Sequence, residues 1–287
     1  MPNRSIVIMG LPSSGKTTFL AALWHLITAR EVETELKFGG LHEGDSSHLN
    51  GIARRWREAL IQIRTAGMGR RLVSMNLEKP DGEAVRVTFP DLPGEAYQGM
   101  WEDRDCDQQV ASILQAGGVQ LFIHSDTIRE PQWVVEEAEV SRQIGIEVPR
   151  DQPPVEWEPR LAPTQVQLVD LLQMLRKKPL DIGPRRLAIM FSAWDKASGD
   201  GLTPSEYLKS KMPLLWQYLQ SNADDWMFKI YGLSAQGGDY DHNEEGGNTV
   251  PGVEELRALD LASKRIRLVG SNLDTCDLTE PLKWLMG

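Results

Sequence analysis

Hydrophobic positions along the chain follow two rhythms that take turns. Residues 5–9 (SIVIM) form a short continuous apolar run closed by Gly10, which predicts a strand buried on both faces. Phe19, Leu20, Leu23, Trp24 and Ile27 then recur at the helical period and predict a helix over 17–30. Strand, glycine-bearing turn and helix in this order open a βαβ unit. A second helix is expected over about 48–63. Apolar runs at 72–77 and 85–89 flank the turn residues Lys79, Pro80, Asp81 and Gly82, which predicts a hairpin. A helix over 103–116, ended by Gly117 and Gly118, precedes a strand at 119–124. Pro163 and Thr164 start a helix running to about Lys178. A strand at 187–191, a helix at 204–220, a strand at 227–233 and a helix at 280–286 complete the reading.

Strands alternating with helices predict an α/β fold with three layers, a mostly parallel central sheet and helices on both faces. Two segments break the alternation. Residues 129–163 contain six prolines and many acids, the composition of a long insertion. Residues 236–252 are a polar, glycine-rich loop. With no internal repeat, the expectation is one unit over 1–287.

Composition narrows the function classes. At 287 residues, with 41% hydrophobic residues and nine Trp, the chain can bury a sizeable core, which excludes wholesale disorder. Its 31 basic and 41 acidic residues leave a net charge of -10, which argues against direct nucleic-acid binding or coating of anionic lipid. No stretch of 18 apolar residues exists, so no transmembrane helix is expected. The N-terminus lacks the apolar core and cleavage site of a signal peptide, and the C-terminus lacks a lipidation cysteine. Cys106 and Cys276 stand far apart and outside any CxxC spacing. A cytoplasmic location is the simplest expectation.

The strongest chemical signal is at the first turn. Gly10-Leu11-Pro12-Ser13-Ser14-Gly15-Lys16-Thr17 matches GxxxxGK[ST] at every fixed position. Glycines let backbone N–H groups converge on phosphate oxygens, and the following helix N-terminus adds a positive dipole. Lys16 is expected to reach the β- and γ-phosphates and the Thr17 hydroxyl to ligate Mg²⁺. Gly10, Ser13, Ser14, Gly15 and Thr18 complete the expected cradle. A second element lies at the end of the 85–89 run, in Asp91-Leu92-Pro93-Gly94-Glu95. An acid there, beside a phosphate loop, can hold Mg²⁺ through water, and a glycine three residues on can offer its N–H to the γ-phosphate.

With these two elements the chain resembles the Ras-like P-loop GTPases of the translation-factor-related (TRAFAC) class, whose DxxG box has this form. The acid after the glycine is also similar to bacterial GTPases of conflict systems. The resemblance implies a guanine-reading box after a later strand. Ser192-Ala193-Trp194-Asp195 lies in that place, with Asp195 on the family's base-reading carboxylate and Ala193 where the family has lysine. Ser234, Ala235 and Gln236 resemble the SAK box that contacts the base, and Trp194 is a candidate to flank it. For the first switch the resemblance implies a threonine that closes over Mg²⁺; Thr34 and Thr65 are the threonines between 31 and 71, and Thr65, nearer the strand, is the favoured candidate. It also directs attention to the position after the DxxG glycine, so Gly94, Glu95 and Gln98 join Lys16 as catalytic candidates. Arg54, Arg55, Arg57, Arg64, Arg70 and Arg71 form a basic stretch, mostly a solvated face, in which Arg64 or Arg70 is a candidate cis arginine finger.

Other tempting residues carry less. The acids of 239–245 lack the EF-hand positions. His124-Ser125-Asp126 lacks a nucleophile-elbow context, and His25 reads as a packed histidine.

The expected function is binding of GTP with Mg²⁺ and its slow hydrolysis to GDP and phosphate, as a molecular switch. Expected partners are guanine nucleotide and a protein effector or activator, with a homodimer across the nucleotide also open. Two other readings stay open: a P-loop ATPase or kinase with a degenerate base pocket, and a nucleotide-binding scaffold with little turnover.

Overall fold

The computed structural model describes residues 5–62, 71–91, 94–106, 108–131, 158–241 and 250–287, and all structural statements refer to these. Thr65, Arg64 and Arg70, residues 132–157 of the expected insertion and 242–249 of the polar loop lie outside them. The side chains of Arg71, Asp91, Glu95 and Gln98 lie outside them too, although their backbones belong to named elements.

Nine strands form one sheet. In chain order they are β1 (Ser5–Gly10), β2 (Lys37–Glu43), β3 (Arg71–Glu78), β4 (Ala84–Asp91), β5 (Gly118–His124), β6 (Arg185–Ser192), β7 (Trp226–Ser234), β8 (Arg267–Gly270) and β9 (Leu273–Thr275). Their order across the sheet is β2-β3-β4-β1-β5-β6-β7-β8-β9. The five central strands, β4-β1-β5-β6-β7, pair in parallel. Both flanks are antiparallel. The parallel core is what an apolar run such as 187–191 requires, because both faces of that strand are covered.

One face is covered by α1 (Lys16–Ala29), α2 (Ser46–Arg57) and the terminal helix Glu280–Met286. The other is covered by α3 (Gly94–Asp103), α4 (Gln108–Leu114), α5 (Thr164–Met174) and the later helices α7 (Pro204–Lys211) and α8 (Pro213–Ser221), with the short α6 (Trp194–Ala197) at the top of β6. Alternating residues of β1 divide between the two cores: Ile6 and Ile8 face α1, while Val7 and Met9 face α3 and α5. The three-layer α/β expectation therefore holds.

Local differences from the sequence reading have identifiable causes. Of the helix expected over 103–116 only α4, Gln108–Leu114, is helical; a separate helix, α3, precedes it and ends at Asp103, where Arg104 takes a left-handed conformation (φ 59°). The helix expected over 204–220 breaks at Pro213, which lacks an N–H and holds Met212 at φ -138°, ψ 58°, outside the helical region. Thr203 and Glu206 form a capping box that starts α7. Edge strand β2 went unread because it contains Gly39 and Gly40 and alternates poorly. None of the described helices is long and apolar enough to cross a membrane.

Candidate functional site

β1 is flanked by β4 on one side and β5 on the other, so the chain leaves its carboxyl end at the point where strand order reverses. Open α/β sheets bind ligands at such a point. The loop that emerges there is residues 10–15. Gly15 sits at φ 88°, and a Cβ on it would come within 2.8 Å of the Ser192 side chain, so only glycine fits. As the N-cap of α1, Gly15 brings no side-chain bond to the first amides of the helix. Those N–H groups and the helix dipole form a ready anion site.

Lys16 folds back onto this loop. Its Nζ donates to the carbonyls of Gly10 (2.7 Å) and Leu11 (2.9 Å) and to Ser14 Oγ (3.1 Å). An incoming polyphosphate would compete with these carbonyls for the ammonium, because phosphate oxygens hold a cation more strongly than neutral carbonyls do. Ser14 is buried, Ser13 is exposed with φ 57°, and Thr17 and Thr18 are half-buried in the first turn of α1.

The acid-bearing strand lies next door. Thr88 of β4 is level with Val7 of β1, and three residues further along the two parallel strands come Asp91 and Gly10. Gly94 opens α3. One turn into that helix is a residue that sequence reasoning passed over. Tyr97 is fully buried, its hydroxyl donates to the Ile8 carbonyl (3.1 Å), and its ring centroid lies 5.8 Å from Lys16 Nζ. Burial raises its pKa, so it stays a neutral donor.

The second half of the site stands on β5, β6 and β7. Ser192 closes β6, and its Oγ donates to the Ser14 carbonyl (2.9 Å), tying the end of β6 to the phosphate loop. Ser125, after β5, donates from Oγ to the carbonyls of Ser192 and Ala193 (2.8 Å each), and its own carbonyl accepts from Tyr207 Oη (2.9 Å). Asp195 is exposed, and its Oδ1 accepts from Ser234 Oγ (2.8 Å). Ser234 also accepts from the Gly237 amide (3.3 Å). Thus Gly10, Ser14, Lys16, Asp195, Ser234 and Ala235, spread over more than 200 positions, meet along one edge of the sheet.

Trp194 does not flank that edge. It is buried, packed edge-on to Tyr207 (5.3 Å) and near Phe191 (6.1 Å), against the backbone of Gly232, where a side chain would have no room. Apolar burial outweighs any role at the surface for so large a ring. His124 at the end of β5 has its pKa lowered, chiefly by burial, and its Nδ1 accepts from the Asp126 amide (3.3 Å). His25 is packed as expected, 3.0 Å from Glu31.

The model of the Double-GTPase 1 family matches residues 7–285, almost the whole chain. The chain belongs to this family. It is accordingly a P-loop GTPase, a protein that binds GTP and hydrolyses it. No curated protein matches it by sequence. Among solved structures it is similar to the GTP-bound GTPase-like domain of Ski7 from S. cerevisiae, at 15% identity, 86% of this chain, 48% of that one and a TM-score of 0.43. The bacterial selenocysteine-specific elongation factor EF-Sec matches at 14% identity over 90% of this chain and 28% of that one, TM-score 0.37. The signal recognition particle receptor SRb-GTP/SRX complex of Chaetomium thermophilum matches at 12% identity over 84% and 94%, TM-score 0.41. The GTPase thus spans between a quarter and a half of the length of EF-Sec and Ski7.

Proposed function

We propose that residues 1–287 act as one GTPase unit that turns over slowly and works as a molecular switch. In this reading the γ-phosphate is lost by in-line attack of water, while Lys16 and the amides of residues 13–18 neutralise the charge of the transferring group. The donors available for a cation suit Mg²⁺: the Thr17 hydroxyl and the Asp91 carboxylate are hard oxygen ligands, and Thr17 stands in the first turn of α1, the helix that follows β1, whose neighbour β4 ends at Asp91. Thr65 is proposed as a further ligand. Bound Mg²⁺ would supply charge neutralisation at the β- and γ-phosphates.

Guanine is proposed to be read by Asp195, Ser234 and Ala235. The observation that carries this is the Ser192–Ser14 bond, which supports a base-reading segment beside the phosphate cradle. Slow turnover follows from Glu95, which stands directly after Gly94. A carboxylate there lacks an amide's donor and adds negative charge beside the γ-phosphate. Gln98, one turn on, is proposed to assist in orienting the water. A protein effector or activator, or a second copy of the chain, would then raise the rate, and the cytoplasm is the compartment we assign.

Steady-state phosphate release with GTP and ATP side by side tests the reading. The expected result is a low rate with GTP and a lower one with ATP. Equal rates would move the protein to the ATPase class, and release with neither would make it a scaffold.

A further inference from the structure

We infer that Trp56 is a positioning residue for base recognition, acting through its indole N–H on the peptide of Ala235. This rests on the proposal that Asp195, Ser234 and Ala235 read guanine.

Trp56 closes the apolar stripe of α2, which runs Leu49, Ile52, Ala53, Trp56 at helical spacing. It is fully buried, and Nε1 donates to the Ala235 carbonyl at 2.8 Å across 179 positions of sequence. Ala235 directly follows Ser234, the residue that donates to Asp195, so the tether acts on the backbone adjoining the base-reading carboxylate.

The donor is itself fixed on several sides. The Arg265 guanidinium lies 5.6 Å from the indole centroid. Its Nη1 donates to the Trp56 carbonyl (3.0 Å), Nη2 to the Arg57 carbonyl (2.9 Å) and Nε to the Leu256 carbonyl (3.0 Å). Arg265 is buried, and the carbonyls at the carboxyl end of α2 carry the partial negative charge that a buried cation needs. His25 packs against the same indole, with centroids 5.2 Å apart, and is held by Glu31, whose other oxygen accepts from the Ser263 amide (2.9 Å). An indole clamped this way cannot swing its N–H off target.

The base loop is also fastened to the chain that follows α2. The Asp241 amide donates to the Ala59 carbonyl (3.0 Å) and the Ile61 amide to the Asp241 carbonyl (2.9 Å). Arg257 bridges Asp241 (2.8 Å) and the Glu58 carbonyl (3.0 Å). At the heart of this seam is Trp56, which reaches the box itself. Its importance follows from Ala193. Without a long side chain there to lie along the base, selection rests on hydrogen bonds to the base edge, and these discriminate only when the loop is held to a few tenths of an ångström.

The test uses Trp56→Phe, which keeps an aromatic ring and deletes the donor, with GDP and ADP affinities measured by calorimetry. We expect GDP binding to weaken about three- to tenfold, the scale of one lost hydrogen bond, and ADP binding to change less. The ratio between the two bases therefore falls, and the loss in GTP hydrolysis lies in KM more than in kcat. Arg265→Gln should move the ratio the same way. An equal loss for both nucleotides, or an unchanged ratio in a folded variant, would overturn the inference by reducing Trp56 to a core residue. If Trp56→Phe does not fold, 3-benzothienylalanine placed at position 56 keeps the shape and lacks the N–H, and the same two outcomes decide. Asp195→Asn separates the failures. If it leaves the ratio unaltered, the base assignment itself is wrong; if it shifts the ratio while Trp56→Phe does not, only the role of Trp56 is lost.

Discussion

The two ends of the proposed nucleotide site are built on different plans. At the phosphate end one contiguous segment, residues 10–18, provides turn, cation, hydroxyls and helix N-terminus, and Lys16 bonds within it to Gly10, Leu11 and Ser14. At the base end no segment suffices. Asp195 leans on Ser234, Ser192 on Ser14 and Ser125, and Ala235 on Trp56, each partner coming from a distant segment of the chain. Phosphates look the same in every nucleotide, so a compact backbone cradle can serve them all. A base has to be told from other bases, and a shortened motif with Ala193 leaves that work to the surrounding fold.

The contrast can be broken most forcefully at Lys16. Lys16→Ala should remove nucleotide binding, since a charge-assisted contact of about 1.5–3 kcal/mol or more disappears. Calorimetry with GDP checks it, and unchanged affinity would mean that the cradle needs no cation. Next in size is the base end. Asp195→Asn should erase most of the preference for GDP over ADP, a loss of about 1–3 kcal/mol, read from the two dissociation constants. Equal GDP and ADP affinities in the parent would dissolve the contrast altogether.

A third expectation sharpens the phosphate end. Glu95→Gln restores an amide donor and removes a charge, so single-turnover hydrolysis should accelerate, whereas Gln98→Ala should slow it. Rates for both, and for Glu95→Ala, within about twofold of the parent, about 0.4 kcal/mol in barrier, would exclude either residue from positioning water.

The smallest effect is in pH. Burial lowers the His124 pKa below its ordinary 6.5, with Asp126 and Asp195 opposing and Lys196 assisting. The unfolded chain therefore binds this proton more readily, so the stability contributed by neutral His124 is present above pH 6.5 and is lost as pH falls below it. His124→Gln should flatten the thermal midpoint across that window. Equal slopes for variant and parent would show that His124 does not contribute.

Much of this molecule was written in its pattern of residues. Continuous apolar runs marked β1 and β6 as buried strands, because a strand covered on both faces has no polar side to show. The phosphate loop was equally plain, since strand, glycine turn, lysine and helix are neighbours in sequence as well as in space. The break at Pro213 was visible in principle, for proline acts on its own backbone. Arg104 gave no such sign, because a left-handed arginine is held by its surroundings.

What the sequence by itself determined, then, is the layered α/β architecture and the phosphate cradle, both encoded in interactions between residues close along the chain. Only the tertiary structure decided that Trp194 is core, that Tyr97 lies against Lys16, and that Trp56 reaches Ala235. A tryptophan on a helical apolar stripe announces burial, which is a matter of solvent. It cannot announce which carbonyl its N–H will meet, because that partner is 179 residues away and is chosen by how the layers close on one another.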